Sequence, residues 1–402
     1  MKIAILTAGI LPVPAVQGGA VENLIDMALA YNDVHQNHQI TVVGVYHPVA
    51  KHHKALLSKV NHYIFIDKKG FWHRLRARLY GIFHPNTYYH YQLEYFLEQE
   101  YKKIKGEHFD LIIIENRPGF AIKLKKRTHT PIVSHIHTDL VNPESNQAAA
   151  IIASTDAFLC VSEYIKRRVV SVSPSAKVSV VYNGLDTKQF SLQAGNQISR
   201  KTLGFAEDDF VVIYTGRIVP KKGVKELMQA IQLLDKTPDV KLLVVGGDNF
   251  ADSVAHNPFL DELHEMGEKM NGRVCFTGYV PYNSLPSYLS LANLAVIPSR
   301  INEALGMTCI EATAMGLPVV ATNDGGIPET LRNQKHILID KNGHLPKQIA
   351  SAIMHVKTHY SEFTGNHLCP TFTKDAYAAS FFQAISQYKY REDGQVSPLP
   401  PY

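Results

Sequence analysis

Phe210-Val211-Val212-Ile213-Tyr214-Thr215-Gly216-Arg217, followed by Lys221-Lys222-Gly223 and an amphipathic run over 224–234, is the stretch that decides the fold. An unbroken β-branched apolar run marks a strand buried on both faces, and its glycine turn leads directly into a helical pattern. The same unit repeats downstream, with apolar runs at 241–245, 274–277, 294–297 and 319–321. It also occurs upstream, at 3–7, 39–45, 63–66, 111–115, 132–135, 157–161 and 178–182, with helical patterns at 20–31 and 92–103. Strands alternating with crossover helices predict α/β with parallel sheets. The 402 residues suit two such domains, each with its own core. The polar, weakly periodic stretch 183–209 separates them. The expected division is an N-terminal Rossmann-like domain over 1–186 and a C-terminal one over 187–371, facing across a cleft. A last helix within 372–390 packs back on the first domain, and 391–402, with three prolines, is a loose tail. Ligands of doubly wound sheets bind at the carboxyl ends of the strands, so the loops after the strands are where chemistry belongs.

Composition excludes several classes. With 45% hydrophobic and 19% charged residues the chain is an ordinary globular protein, and no uncharged apolar run reaches membrane-spanning length. Its start, Met1-Lys2-Ile3-Ala4-Ile5-Leu6, reads as a buried first strand, not a signal peptide. Cys160, Cys275, Cys309 and Cys369 form no CxxC pair and read as reduced, mostly buried thiols of a cytoplasmic protein. No clustered Cys/His set suggests zinc, no Asp-x-Asp suggests a metal-dependent transferase, and neither metal nor cofactor is expected. The net charge of +5 is local, because 51–105 holds eleven Lys/Arg against four Asp/Glu. No nucleic-acid-reading motif accompanies it.

Four loops draw attention. Gln17-Gly18-Gly19-Ala20 opens a helix, and is either a tight turn or a place where backbone N–H groups meet an anion. Gly216-Arg217 with Lys221-Lys222-Gly223 sets a guanidinium and two ammonium groups at a strand end before a helix. That suits a diphosphate, although a solvated basic loop has the same composition. Glu303-Ala304-Leu305-Gly306-Met307-Thr308-Cys309-Ile310-Glu311 separates two glutamates around a helix expected to start near Gly306. Its first N–H groups suit phosphate, and Glu311, among apolar neighbours, requires a partner. Asn323-Asp324-Gly325-Gly326-Ile327-Pro328-Glu329 adds a further glycine loop at the same edge, where Glu329 also reads as a plain first-turn charge.

Taken together, Glu303-x7-Glu311, Gly216-Arg217 with Lys222-Gly223, Val181-Tyr182-Asn183-Gly184-Leu185-Asp186 and Gly325-Gly326-x-Pro328-Glu329 resemble family 4 of the retaining glycosyltransferases, which have the GT-B fold. Glu115-Asn116-Arg117-Pro118 and His135-Ile136-His137-Thr138-Asp139 are similar to its branch of bacterial cell-surface polysaccharide and spore-coat enzymes. The resemblance implies transfer, with retention, from a nucleotide-sugar donor, by default a UDP-sugar, to a saccharide or lipid-linked acceptor. It implies that Arg217 and Lys222 hold the diphosphate, that Glu303 meets sugar hydroxyls, and that Gly216, Gly306, Met307 and Thr308 line the donor. Glu311 would take the ribose hydroxyls, Gly18 and Gly19 the diphosphate, Tyr279 or Val280 the base, and His137 the transferred sugar. The family usually has an aromatic residue where Leu305 stands. A nucleotide-sugar epimerase and a non-catalytic sugar-nucleotide-binding surface protein are the alternatives. A dehydrogenase is disfavoured because the first loop lacks GxGxxG. Finally, 68–83 mixes cations with Phe71, Trp72, Leu75, Leu79 and Phe83. Such a helix either lies on an anionic membrane, at its inner face, or packs its apolar side into the N-terminal domain.

Overall fold

The computed structural model describes all residues except 86, 192–197, 248–256, 342 and 389–402, so the expected tail lies outside the described residues. The apolar runs form strands that pair with one another, the inner ones on both sides and the edge ones on one. Lys2–Leu6 (β1), Gln39–Val45 (β2), Asn61–Ile66 (β3), Leu111–Glu115 (β4), Ile132–Ile136 (β5), Ala157–Cys160 (β6) and Val178–Val180 (β7) make one sheet in the order β3-β2-β1-β4-β5-β6-β7. Phe210–Thr215 (β8), Val240–Val245 (β9), Val274–Phe276 (β10), Leu294–Ile297 (β11), Val319–Thr322 (β12) and His336–Ile339 (β13) make the second, ordered β10-β9-β8-β11-β12-β13. All these pairings are parallel, as burial on both faces requires. Each sheet reverses its order once, between β1 and β4 and between β8 and β11. The loops after those four strands therefore flank the edge where doubly wound sheets bind ligands.

The chain separates into a unit of Met1–Gly184 joined by the segment from Lys374 onward, and a unit of Leu185–Thr373. Leu185 donates its N–H to the Phe372 carbonyl at 2.7 Å, so both crossings between units lie side by side. The Lys374–Ser386 helix buries Tyr377, Phe381 and Ile385 in the first unit, in one core with Leu24, Ala28 and β1. On the other face of that sheet, Phe96, Leu97, Phe120 and Leu124 cover Ala4, Leu6, Ile112 and Ile114. In the second unit, helices Val224–Leu233 and Leu345–Thr358 cover β8, β9 and β11.

Two readings need correction. β13 joins the second sheet through Val319↔His336 to Thr322↔Ile339, although its run is flanked by Lys335 and Asp340 and did not stand out. Of the four free thiols only Cys160 and Cys309 are buried; Cys275 and Cys369 are half-buried. Among the described residues no helix is long and apolar enough to cross a membrane.

Candidate functional site

In the second unit the loops after β8, β11 and β12 meet backbone to backbone, and the glycines of the motifs make this possible. Tyr214, buried at the end of β8, donates its hydroxyl to the Arg217 carbonyl at 2.7 Å and so fixes the turn that carries Arg217. Gly223 has φ 75°, and a Cβ there would stand 1.9 Å from the Pro298 carbonyl oxygen. Only glycine lets the start of the 224–233 helix lie against the end of β11. Gly325 and Gly326 serve in the same way: Cβ atoms on them would meet the carbonyl oxygens of Glu303 and Ala304 at 2.2 and 2.5 Å. The further glycine loop expected at this edge seats the Glu303 loop, whose carbonyl accepts the Gly326 N–H at 2.8 Å.

The side chains brought together are those that the motifs named. Lys222 Nζ and Ser299 Oγ each donate to Glu303 Oε1 at 2.6 Å. Both members of the ion pair keep some exposure, 24% for the lysine and 16% for the glutamate. Gly306, at φ 97°, precedes the Met307–Ala314 helix, and the N–H groups at the start of a helix have no partner within it. Inside that helix Glu311 is buried and accepts a 2.9 Å hydrogen bond from the Tyr282 hydroxyl. Burial pushes its carboxyl up to about 7, against the lowering effect of that hydrogen bond. Tyr279 is exposed and Val280 half-buried on the loop after β10. Ser299 and Tyr282 escaped the sequence reading: a serine ending a strand and a tyrosine outside any repeated pattern give no signal until the loops are folded together.

The first unit has its own constellation. Gly18 and Gly19, at φ 74° and 103°, lead into helix Ala20–His35, and a Cβ on Gly19 would stand 2.2 Å from Glu22 Oε2. The Glu22 carboxyl thus occupies the helix start that the glycines were expected to offer to an anion. Burial raises its pKa, and the charges of Glu115 and Asp26 add to the rise. At the carboxyl ends of β4 and β5, Glu115 Oε2 lies 2.9 Å from His137 Nε2 and 3.1 Å from His135 Nδ1. The sequence offered no clustered ligand set, but the pairing of β4 with β5 gathers Glu115, His135 and His137 so that their ligand atoms lie within 4.8 Å of one another. The period of two that sets both histidines on one side of β5 was visible; their shared carboxylate, twenty residues away, was not. Burial opposes ionisation of Glu115, yet His135 and His137 together draw its carboxyl down to about 2. Burial and then the neighbouring His135 take the His137 imidazole down to about 4, so it is neutral near pH 7.

Comparison with known proteins follows this division. A model described as "Glycosyltransferase Family 4" matches residues 18–189, and one described as "Glycosyl transferases group 1" matches 196–363. The chain is similar to spore coat protein SA of Bacillus subtilis, with 27% identity over 88% of this chain and 89% of that one. It is also similar to the putative glycosyltransferase YtcC of Bacillus subtilis, with 26% identity over 94% of this chain and 86% of that one. Among solved structures, Anabaena Alr3699/HepE in complex with UDP-glucose shares the fold, with TM-score 0.65, 21% identity, and coverage of 97% of this chain and 96% of that one. Two Rossmann-like units, phosphate-suited loops at the order reversal of the second, and family models that span both of them lead to one conclusion: the chain belongs to glycosyltransferase family 4, as a hexosyltransferase-type enzyme of the GT-B fold.

Proposed function

We propose that the chain transfers a sugar from a UDP-sugar to a saccharide or lipid-linked acceptor in cell-surface glycan synthesis, with retention at the anomeric carbon and without a metal ion. The observation that carries this reading is the grouping of Lys222, Glu303 and the Gly306 helix start at the edge where the second sheet reverses its order, with Arg217 on the loop after β8. Fixed cations and helix-start N–H groups are suited to stabilising the charge that develops on a leaving diphosphate, which is the role a metal would otherwise fill. Lys222 is paired with Glu303. A diphosphate is a stronger partner for the ammonium group, and its arrival frees Glu303 to accept hydrogen bonds from sugar hydroxyls. Gly216, Met307 and Thr308 line the donor, Glu311 takes the ribose hydroxyls, and Tyr279 or Val280 edges the base. His137 lies by the transferred sugar. The acceptor hydroxyl attacks on the face the diphosphate leaves and passes its proton to a departing phosphate oxygen. UDP is the donor base of choice because the Anabaena neighbour was solved with UDP-glucose, and cell-surface synthesis because a relative is named a spore coat protein.

The acceptor side of this reading draws on the Phe71–Phe83 helix. Only Ala77 is buried there, while Phe71, Trp72, Leu75, Leu79, Ile82 and Phe83 are exposed. On a helical wheel these six share one face, bordered by Arg74 and Arg78 on one side and Arg76 on the other. An apolar stripe between cations fits the surface of an anionic bilayer and supports the reading of a cytoplasmic enzyme peripheral at the inner face of the membrane. Co-sedimentation with anionic vesicles at low salt is expected, and indifference to them contradicts this part. The transfer itself is tested by thermal-shift screening of nucleotide sugars, followed by mass detection of product with the best donor. A glycoside formed with an acceptor supports it. A free epimer formed without an acceptor, or tight nucleotide binding with no turnover, overturns it.

A further inference from the structure

Glu115 sits at the carboxyl end of β4, beside the order reversal of the first sheet, and the donor chemistry gives it no task. It is buried, and its carboxylate faces two imidazole rings. A carboxylate only accepts hydrogen bonds, so the ring nitrogens facing it must carry hydrogen: Nε2 of His137 and Nδ1 of His135. The residue after Glu115 acts on the same histidine. Asn116 adopts φ 51° and accepts the main-chain N–H of His137 at 3.2 Å. Two consecutive residues thus hold one histidine, Glu115 by its ring and Asn116 by its backbone. His135 also engages the carboxylate and stops it from swinging away, and it is itself held beneath Phe381 of the 374–386 helix, with ring centroids 5.6 Å apart.

The other ring nitrogen of His137, Nδ1, is buried and has no hydrogen-bond partner among the described residues. With the hydrogen fixed on Nε2, Nδ1 is left with a bare lone pair in a place shielded from solvent. Buried acceptors without a partner are uncommon and call for a donor from outside the fold. We propose that Glu115 is the positioning residue of His137: it locks the ring as the Nε2–H tautomer, so that Nδ1 accepts a hydrogen bond from a hydroxyl of a saccharide substrate. This rests on the reading of His137 as the residue beside the transferred sugar.

Nitrogen NMR of the full-length protein, labelled on histidine and without any donor, reads the tautomer directly. The wild type is expected to show His137 with hydrogen on Nε2 and a bare Nδ1. Glu115→Gln should give mixed tautomers and lower kcat by about 100-fold, the scale on which catalysis responds to a misplaced group, with the KM for the nucleotide sugar unchanged. Glu115→Asp, which keeps the charge at a shorter reach, should recover part of both signals. An Nδ1–H tautomer in the wild type overturns the proposal. So does a divalent metal that co-purifies with the protein and is held by the three side chains, and so does a Glu115→Gln enzyme with undiminished kcat. Because the tautomer is read without substrate, the two claims fail separately. The expected tautomer in a protein that transfers from no nucleotide sugar overturns the functional reading, and with it the role given to Nδ1.

Discussion

Glu115 and Glu311 are both buried carboxylates near the ligand edge of a Rossmann-like unit, yet they are held in different charge states. Glu115 has two ring N–H donors, which overcome burial and take it down to about 2. Glu311 has one phenol hydroxyl, and burial prevails, up to about 7. Placing a carboxylate in a low-dielectric interior costs far more than one neutral hydrogen bond returns, whereas several donors reverse the balance. The first unit therefore keeps its carboxylate as a permanent fixture that orients a histidine. The second unit holds carboxylates whose partners, in the proposed reading, a ligand completes: Glu311, bonded here to Tyr282, through hydroxyl donors, and Glu303, bonded here to Lys222, through release of that lysine.

The comparison is open to attack at several points. The largest effect is expected at Arg217, the guanidinium proposed to face the leaving diphosphate. Arg217→Ala should cost about 10²–10³ in transfer rate, as removal of one preorganised charge-stabilising donor does, with melting temperature and circular dichroism unchanged. Transfer at the wild-type rate by a well-folded Arg217→Ala protein breaks the account of the second unit.

Next comes the exchangeable pair. Lys222→Ala removes the proposed phosphate contact and leaves Glu303 Oε1 with Ser299. Because Lys222 and Glu303 are paired with each other, Lys222→Ala and Glu303→Gln should not add in donor binding, with a coupling of about 0.5–3 kcal/mol. Strict additivity, measured by calorimetry with UDP-glucose, contradicts partner exchange.

Glu311 gives a pH signature of intermediate size. A ribose that donates hydrogen bonds needs the carboxylate ionised, so UDP affinity should rise with pH up to about 7 and level off above it. The rise is at most about tenfold per pH unit for a single proton, and Glu311→Gln should flatten it. Stability runs the opposite way. A carboxyl whose folded pKa lies above its ordinary 4.5 holds its proton more tightly when folded, so the ligand-free enzyme should lose stability as pH climbs from about 4.5 to about 7. Melting curves of the wild type and Glu311→Gln across that window check the sign; parallel curves contradict it.

The smallest effect belongs to a surface residue outside both sites. Trp72 is 67% exposed, so Trp72→Ala should change folding stability by no more than about 0.5 kcal/mol while weakening vesicle binding. A large loss of stability would mean that the residue is packed, not displayed.

The order in which these features could be read from the sequence follows from their physics. Continuous apolar runs announced twelve of the thirteen strands because burial on both faces leaves a local mark; β13, four residues between charges, did not. Lys222, Glu303, Gly306 and Glu311 were legible as a spaced pattern. The partners Ser299 and Tyr282 were not, since loop contacts between distant segments leave no periodic trace. Glu115 stood in a recognised segment, but its task depends on strand adjacency: β4 pairs with β5 so that Glu115 lies opposite His135. Gly325 and Gly326 were read as a further glycine loop at the same edge, and the closeness of the Glu303 and Ala304 carbonyls adds that glycine is needed there for packing.

A crystal structure of the protein with UDP-glucose tests the central claim most directly. The account predicts diphosphate oxygens about 3 Å from the Arg217 guanidinium, from Lys222 Nζ and from backbone N–H groups at the start of the 307–314 helix, with Glu311 Oε atoms at the same distance from ribose hydroxyls. A diphosphate bound elsewhere, with Lys222 still paired to Glu303 and Glu311 still bonded to Tyr282 alone, would contradict it.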